Sequence, residues 1–228
     1  MELCVALDLP SSKENLNLAN KIKDHNIWLK VGFRTYIRNG KEFLRNIKSI
    51  NPNFKIFLDL KLYDIPNTMA DASEEICNLN VDMFNIHASC GKIAMSTVVN
   101  RISKFKKPPL VLAVTALTSF DNNSFKNIYN EDLETKTMQF AQDAHATGLD
   151  GVVCSVFESL SIKQHTHNDF ITLTPGIRPF NEESQDQKRV ADISEANNNL
   201  VDFIVVGRPI YTSKNPDIVV KNILSKLL

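Results

Sequence analysis

Short runs of β-branched and apolar residues recur along the chain, separated by longer stretches whose apolar positions fall on one face of a helix. Eight such runs stand out, at residues 3–7, 27–31, 55–60, 83–87, 110–115, 151–155, 170–174 and 203–206. They are nearly continuously apolar rather than alternating, as parallel strands buried on both faces require. Between them, Ser11 and Ser12 followed by Glu14, Leu16, Leu18 and Ile22 predict a capped helix after the first strand. A helix is predicted over 67–79 behind Pro66. Another spans 131–147 and stops at Gly148, which is placed as a C′ glycine, and a last one covers 218–228. The Asn- and Asp-rich stretch 119–130 reads as an enlarged loop or lid. No linker and no convincing internal repeat interrupt the pattern. Residues 1–228 therefore predict an α/β chain folded as one single-domain (β/α)8 TIM barrel. A doubly wound open sheet is the other arrangement of the same units.

Charged and polar residues gather at the carboxyl ends of the apolar runs. Asp8 follows the first, Lys30 lies in the second, Asp59 and Lys61 close the third, His87 the fourth and Thr115 the fifth. Arg178 follows the seventh and Arg208 the eighth. In a barrel these ends converge on one face, where the loops build the active site. The richest piece is Phe57-Leu-Asp-Leu-Lys-Leu-Tyr-Asp-Ile-Pro-Asn-Thr68. Strand alternation turns Asp59 and Lys61 to the same side, into the barrel mouth, with Leu58 and Leu60 under the helices. Asp64 comes in the loop beyond, where Ile65-Pro66 forces an extended turn. With Lys30 entering from the neighbouring strand, alternating ammonium and carboxylate groups hold one another ionised. The same spacing also suits a structural ion-pair network. The loops Thr174-Pro-Gly-Ile-Arg178-Pro and Gly207-Arg208-Pro lie where barrels commonly seat phosphate, through glycine backbone N–H groups and bidentate arginines. His87 fits a site residue or a hydrogen-bonded core histidine equally well.

Composition narrows the partners. Lysine plus arginine equals aspartate plus glutamate, 26 each, so no broad basic field exists for nucleic acid or anionic lipid. The four cysteines are scattered without a CxxC pair, which fits neither a zinc site nor a disulfide scaffold. The opening residues lack the basic segment of a signal peptide. No apolar stretch nears the roughly 20 residues of a membrane helix. A soluble, cytoplasmic protein is expected.

On these residues the chain resembles the bacterial orotidine 5′-phosphate decarboxylase family along nearly its whole length. The segments carrying the resemblance are VALD ending at Asp8, LKVG around Lys30, IFLDLKLYDIPNT from Ile56 to Thr68, NIHAS from Asn85, AVTALTS around Thr118, GLDGVVCS from Gly148, TPGIRP around Arg178, and VVGRPI around Gly207 and Arg208. The resemblance implies conversion of orotidine 5′-phosphate to uridine 5′-phosphate and carbon dioxide in pyrimidine biosynthesis, without cofactor or metal. It implies Lys61 as proton donor to C6, Asp59 beside the substrate carboxylate, Lys30 bridging carboxylates and ribose, and Asp8 on the ribose. Thr118 would meet the pyrimidine amide edge. Arg178, Gly207 and Arg208 would hold the 5′-phosphate, with Gln187 closing over it and Gln185 a competitor for that role. It also implies a homodimer in which Asp64 and Thr68 complete the partner's site. Two other readings share the barrel: a magnesium-dependent keto-sugar-phosphate decarboxylase or aldolase, and a non-catalytic nucleotide-binding barrel. The IPNT continuation and the LTS segment set the chain apart from the first. Intact Lys30, Asp59, Lys61 and Asp64 set it apart from the second.

Overall fold

In the computed structural model, which describes residues 1–180 and 189–227, eight parallel strands close into a barrel in sequence order. The strands are β1 (Glu2–Ala6), β2 (Trp28–Gly32), β3 (Lys55–Leu62), β4 (Met83–His87), β5 (Leu110–Val114), β6 (Gly151–Val153), β7 (Ile171–Thr174) and β8 (Phe203–Val206). Around them lie α1 (Ser12–Lys21), α2 (Phe33–Ile50), α3 (Pro66–Cys77), α4 (Gly91–Ile102), α5 (Asn122–Tyr129), α6 (Leu133–Ala146), α7 (Val156–His165), α8 (Ile193–Asn198), α9 (Arg208–Tyr211) and α10 (Pro216–Leu224). The closed order, with β1 paired to β8, settles the choice against an open sheet. All eight expected strands are present, with ends moved by a residue or two.

The helix starts follow their capping chemistry. Ser11 accepts from the Glu14 N–H while Glu14 reaches back to the Ser11 N–H, a reciprocal box that opens α1. Gly148, with φ +83°, stands just past the end of α6, where a left-handed residue is needed. The expected loop over 119–130 needs correction, because α5 occupies most of it. Asp121 and Ser124 form a capping box, and Phe125 is fully buried and stacks on Tyr129 with centroids 4.4 Å apart. The asparagines and aspartate that suggest a loop are serving partly as the cap of a short helix.

Two layers of core follow from strand alternation. Outward residues such as Val5, Leu29, Leu58, Phe84, Val152 and Ile204 pack under the helices. Inward residues Cys4, Trp28, Phe57, Met83, Leu112, Leu173 and Phe203 fill the barrel. Trp28 meets Phe203 edge to face at 5.2 Å. Nearer the carboxyl ends, several inward positions turn polar: Ala6 gives way to Asp8, Trp28 to Lys30, Phe57 to Asp59 and Met83 to Asn85. The barrel is thus plugged by apolar side chains in its amino-terminal part and charged at its mouth.

The amino-terminal rim carries a repeat that the hydrophobic pattern does not reveal. Asp82, Asp150 and Asp202 each precede an even-numbered strand. They accept, at 2.7–2.8 Å, an N–H at the start of the strand before it: Ile56, Val111 and Thr172. Lys48 of α2 donates to Asp82, and Lys163 of α7 donates to Asp202. Among the described residues Asp150 pairs with no such lysine, and burial raises its pKa despite the backbone donors. In the first quarter Trp28 Nε1 donates to Glu2 instead, at 2.7 Å.

Candidate active site

The charged mouth residues surround a cavity of about 410 Å³. They form a charged network in which Lys30 and Asp59 are buried, Lys61 is half-buried and Asp8 is exposed. Lys30 Nζ lies 3.1 Å from both carboxylate oxygens of Asp8 and 3.5 Å from Asp59 Oδ2. Lys61 Nζ donates to Asp59 Oδ1 at 2.5 Å. Burial favours the neutral form of Lys30, but Asp59 and Asp8 outweigh it and hold the ammonium above its ordinary pKa. Burial likewise raises Asp59, and the ammonium groups of Lys30 and Lys61, helped by hydrogen bonds from Lys61 and Asn85, bring it below the ordinary carboxylate value. Both groups are therefore charged at neutral pH.

Lys61 is not placed by regular strand geometry. Its φ is +45°, the left-handed region that non-glycine residues rarely adopt, and the pairing of β3 with β4 shifts register between Leu58 and Leu62. Asn85, inward on β4, holds this irregular turn. Its Oδ1 accepts the Lys61 N–H at 2.7 Å, and its Nδ2 donates to Asp59 Oδ1 at 2.8 Å. One amide therefore fixes both the backbone of Lys61 and the carboxylate that Lys61 pairs with. Asn85 is a site residue that the sequence alone does not single out. The available signal is a polar residue at an inward position of an otherwise apolar strand.

The same cavity is lined by Thr118, Gly176, Arg178, Gly207 and Arg208, from the loops after β5, β7 and β8. Thr118 and Arg178 are buried. Arg178 N–H donates to the Ala191 carbonyl at 2.9 Å, and Ala191 N–H to the Gly176 carbonyl at 3.3 Å, tying the loop after β7 to the chain ahead of α8. Gln185 and Gln187 lie outside the described residues. The cavity is thus lined by ammonium and carboxylate groups at the ends of β1–β3 and by two guanidinium groups after β7 and β8, with Phe57, Val153 and Leu173 as its apolar lining.

Two expected site residues are not in this cavity. Asp64 is exposed and accepts the N–H of Ile65 at 2.7 Å, and Thr68 is exposed on α3. Among the described residues no ion pair joins Asp64 to Lys61, so within one chain the alternating set stops at Lys61. His87 is also outside the cavity. Its Nδ1 accepts from Ser89 N–H and lies 2.6 Å from Ser89 Oγ, and its ring sits beside Tyr63. Burial, with Lys61 nearby, lowers its pKa, so the ring is neutral at pH 7.

A closed parallel barrel with ionised groups converging at the carboxyl ends of its strands defines the class: an enzyme of the (β/α)8-barrel type. The model of the "Orotidine 5'-phosphate decarboxylase / HUMPS family" matches residues 1–223, and the chain belongs to that family. It is 66% identical over 227 residues to the orotidine 5'-phosphate decarboxylase of a Nitratiruptor species, covering 100% of both chains. It is 63% identical to that of Sulfurimonas denitrificans, again covering 100% of both. Among solved structures, the orotidine 5'-phosphate decarboxylase of Lactobacillus acidophilus superposes with a TM-score of 0.86 at 28% identity, over 99% of this chain and 98% of that one. No helix among the described residues is long and apolar enough to cross a membrane.

Proposed function

We propose that this chain decarboxylates orotidine 5′-phosphate to uridine 5′-phosphate, and that the Lys30–Asp59–Lys61 network is its electrostatic engine. The observation that carries the reading is a carboxylate, Asp59, held ionised between two ammonium groups in the same cavity as Arg178 and Arg208. The bond from C6 to its carboxylate breaks, and the electron pair stays on C6 in an in-plane orbital that the ring π-system cannot delocalise. Carbon dioxide leaves, and the Lys61 ammonium supplies the proton that C6 takes up. Preplaced charge lowers that barrier because no dipoles have to reorient as the carbanion forms. Asp59 stands beside the departing carboxylate. Lys30 bridges Asp59 to the ribose, which Asp8 also contacts. Thr118 meets the pyrimidine amide edge, and Arg178, Gly207 and Arg208 take the phosphate with Gln187. Gln185 remains the competitor for that last place.

The decisive assay is loss of orotidine 5′-phosphate absorbance on adding purified protein in the presence of a metal chelator. Turnover is expected. Activity only after magnesium is restored, toward a keto-sugar phosphate instead, overturns the reading; so does tight nucleotide binding with no turnover.

The network makes a further prediction at Asn85. Replacing it with alanine removes a donor to a buried carboxylate and the acceptor that fixes the Lys61 backbone. Steady-state kinetics are expected to show kcat/KM reduced by about 10- to 100-fold. Unchanged kinetics would mean that Lys61 is placed without it.

The working unit in this reading is a cytoplasmic homodimer. Tyr63 and Ile65, on either side of Asp64 in the chain, are left exposed, as are Phe33 and Ile37 at the start of α2, and these apolar side chains supply an adhesive face. Across it Asp64 and Thr68 reach the partner's pocket. Co-assembled Lys61→Ala and Asp64→Ala chains are then expected to regain about a quarter of wild-type activity, because half the dimers carry one intact site of two. No gain over the parent variants would place each pocket wholly within one chain.

A further inference from the structure

Outside the cavity, one cluster of charged side chains is buried against the loop that carries Thr118. Arg189 forms an ion pair with Glu158 of α7, the two side chains only 15% and 11% exposed. Its second terminal nitrogen donates to the carbonyls of Ala116 and Leu117, at 3.3 and 3.4 Å. Glu158 is itself fixed, accepting the Ser155 N–H at 2.9 Å in the capping box that starts α7. The guanidinium fork therefore links the first turn of α7 to the two residues immediately before Thr118. Ala116, Leu117 and Thr118 line the cavity, whereas Arg189 and Glu158 do not.

We propose that Arg189 is a positioning residue for base recognition: anchored on Glu158, it holds the Ala116 and Leu117 carbonyls and so sets Thr118 against the pyrimidine edge. The proposal rests on the nucleotide reading of the cavity. The fork geometry matters, because a lysine presents a single point charge and cannot satisfy the carboxylate and both carbonyls at once. Two carbonyls and a carboxylate converging on one buried cation also give the loop a single preferred position rather than several.

The test separates base from phosphate. Binding of uridine 5′-phosphate and of ribose 5-phosphate is measured calorimetrically for the wild type, Arg189→Met and Arg189→Lys, with Tm recorded for each. Arg189→Met is expected to weaken uridine 5′-phosphate about 10- to 100-fold and ribose 5-phosphate less than about threefold, with Arg189→Lys between it and the wild type. In a Thr118→Ala background the same Arg189→Met change is expected to cost less than about threefold, since positioning a side chain that is absent gains nothing. Equal weakening of both ligands, full effect in the Thr118→Ala background, or wild-type behaviour of Arg189→Lys overturns the proposal. If Arg189→Met does not fold, Arg189→Lys alone decides by the same two-ligand comparison. Failure of the nucleotide reading looks different: the wild type itself then binds uridine 5′-phosphate no better than ribose 5-phosphate.

Discussion

Lys61→Ala is expected to lower kcat/KM for orotidine 5′-phosphate by at least about 10⁴-fold, because one side chain is asked both to stabilise charge at C6 and to protonate it. Binding of uridine 5′-phosphate should stay within about tenfold of wild type, since the lost interaction belongs to the transition state. The geometry explains why the fold should survive. Asp59 keeps Lys30 at 3.5 Å and Asn85 at 2.8 Å when Lys61 is gone, so no buried charge is stranded. Alanine and lysine meet similar resistance to the left-handed backbone at this position, and Tm should move by only about 2 °C. Stopped-flow turnover, product titration and thermal unfolding check the three parts. Near-normal turnover in a folded variant would remove Lys61 from the chemistry.

The second large effect is on stability. Gly151→Ala is expected to lower Tm by about 6–12 °C, equivalent to roughly 3 kcal/mol, or to prevent folding. Gly151 opens β6, paired with Leu112 on one side and Ile171 on the other. A β-carbon there would stand 2.2 Å from the Ile171 carbonyl oxygen and 2.8 Å from its carbonyl carbon. Those are backbone atoms of a neighbouring strand, and they can yield only if β6 and β7 separate. Differential scanning calorimetry decides it, and a Tm within about 2 °C of wild type would mean that the barrel breathes at this seam.

The strands were legible because parallel strands covered on both faces leave an unbroken apolar signature that neighbours cannot disguise. Lys30, Asp59 and Lys61 were legible for the complementary reason: charge at the end of such a run has to face an opening. Asn85 was not, because its partners Asp59 and Lys61 lie on another strand, far earlier in the chain, and only closure of β3 on β4 brings them together. The α5 helix is not legible because the residues that cap a helix are the ones that build loops, and only the burial of Phe125 distinguishes the two. The aspartates at the barrel base are not legible because a repeat one residue wide, set in ordinary hydrophobic surroundings, does not stand out in a single chain. Arg189 falls in the same class: its anchor is on α7 and its cargo on the loop after β5.

Those basal aspartates bear on how such a chain could be cut and rejoined. Each fastens an even strand to the odd strand before it, while Glu2 and Trp28 do so for the first pair. The barrel is in this sense an assembly of four strand–helix–strand modules, each locked by its own bond at the end remote from the chemistry. New chain termini placed between α4 and β5 leave every lock local in sequence, whereas termini placed between α3 and β4 turn the Asp82–Ile56 lock into a contact spanning most of the chain. Circular permutants opened at the first point should refold faster than those opened at the second. A lineage that duplicates or exchanges whole modules would carry these fasteners along and remain free to rewrite the loops at the other pole.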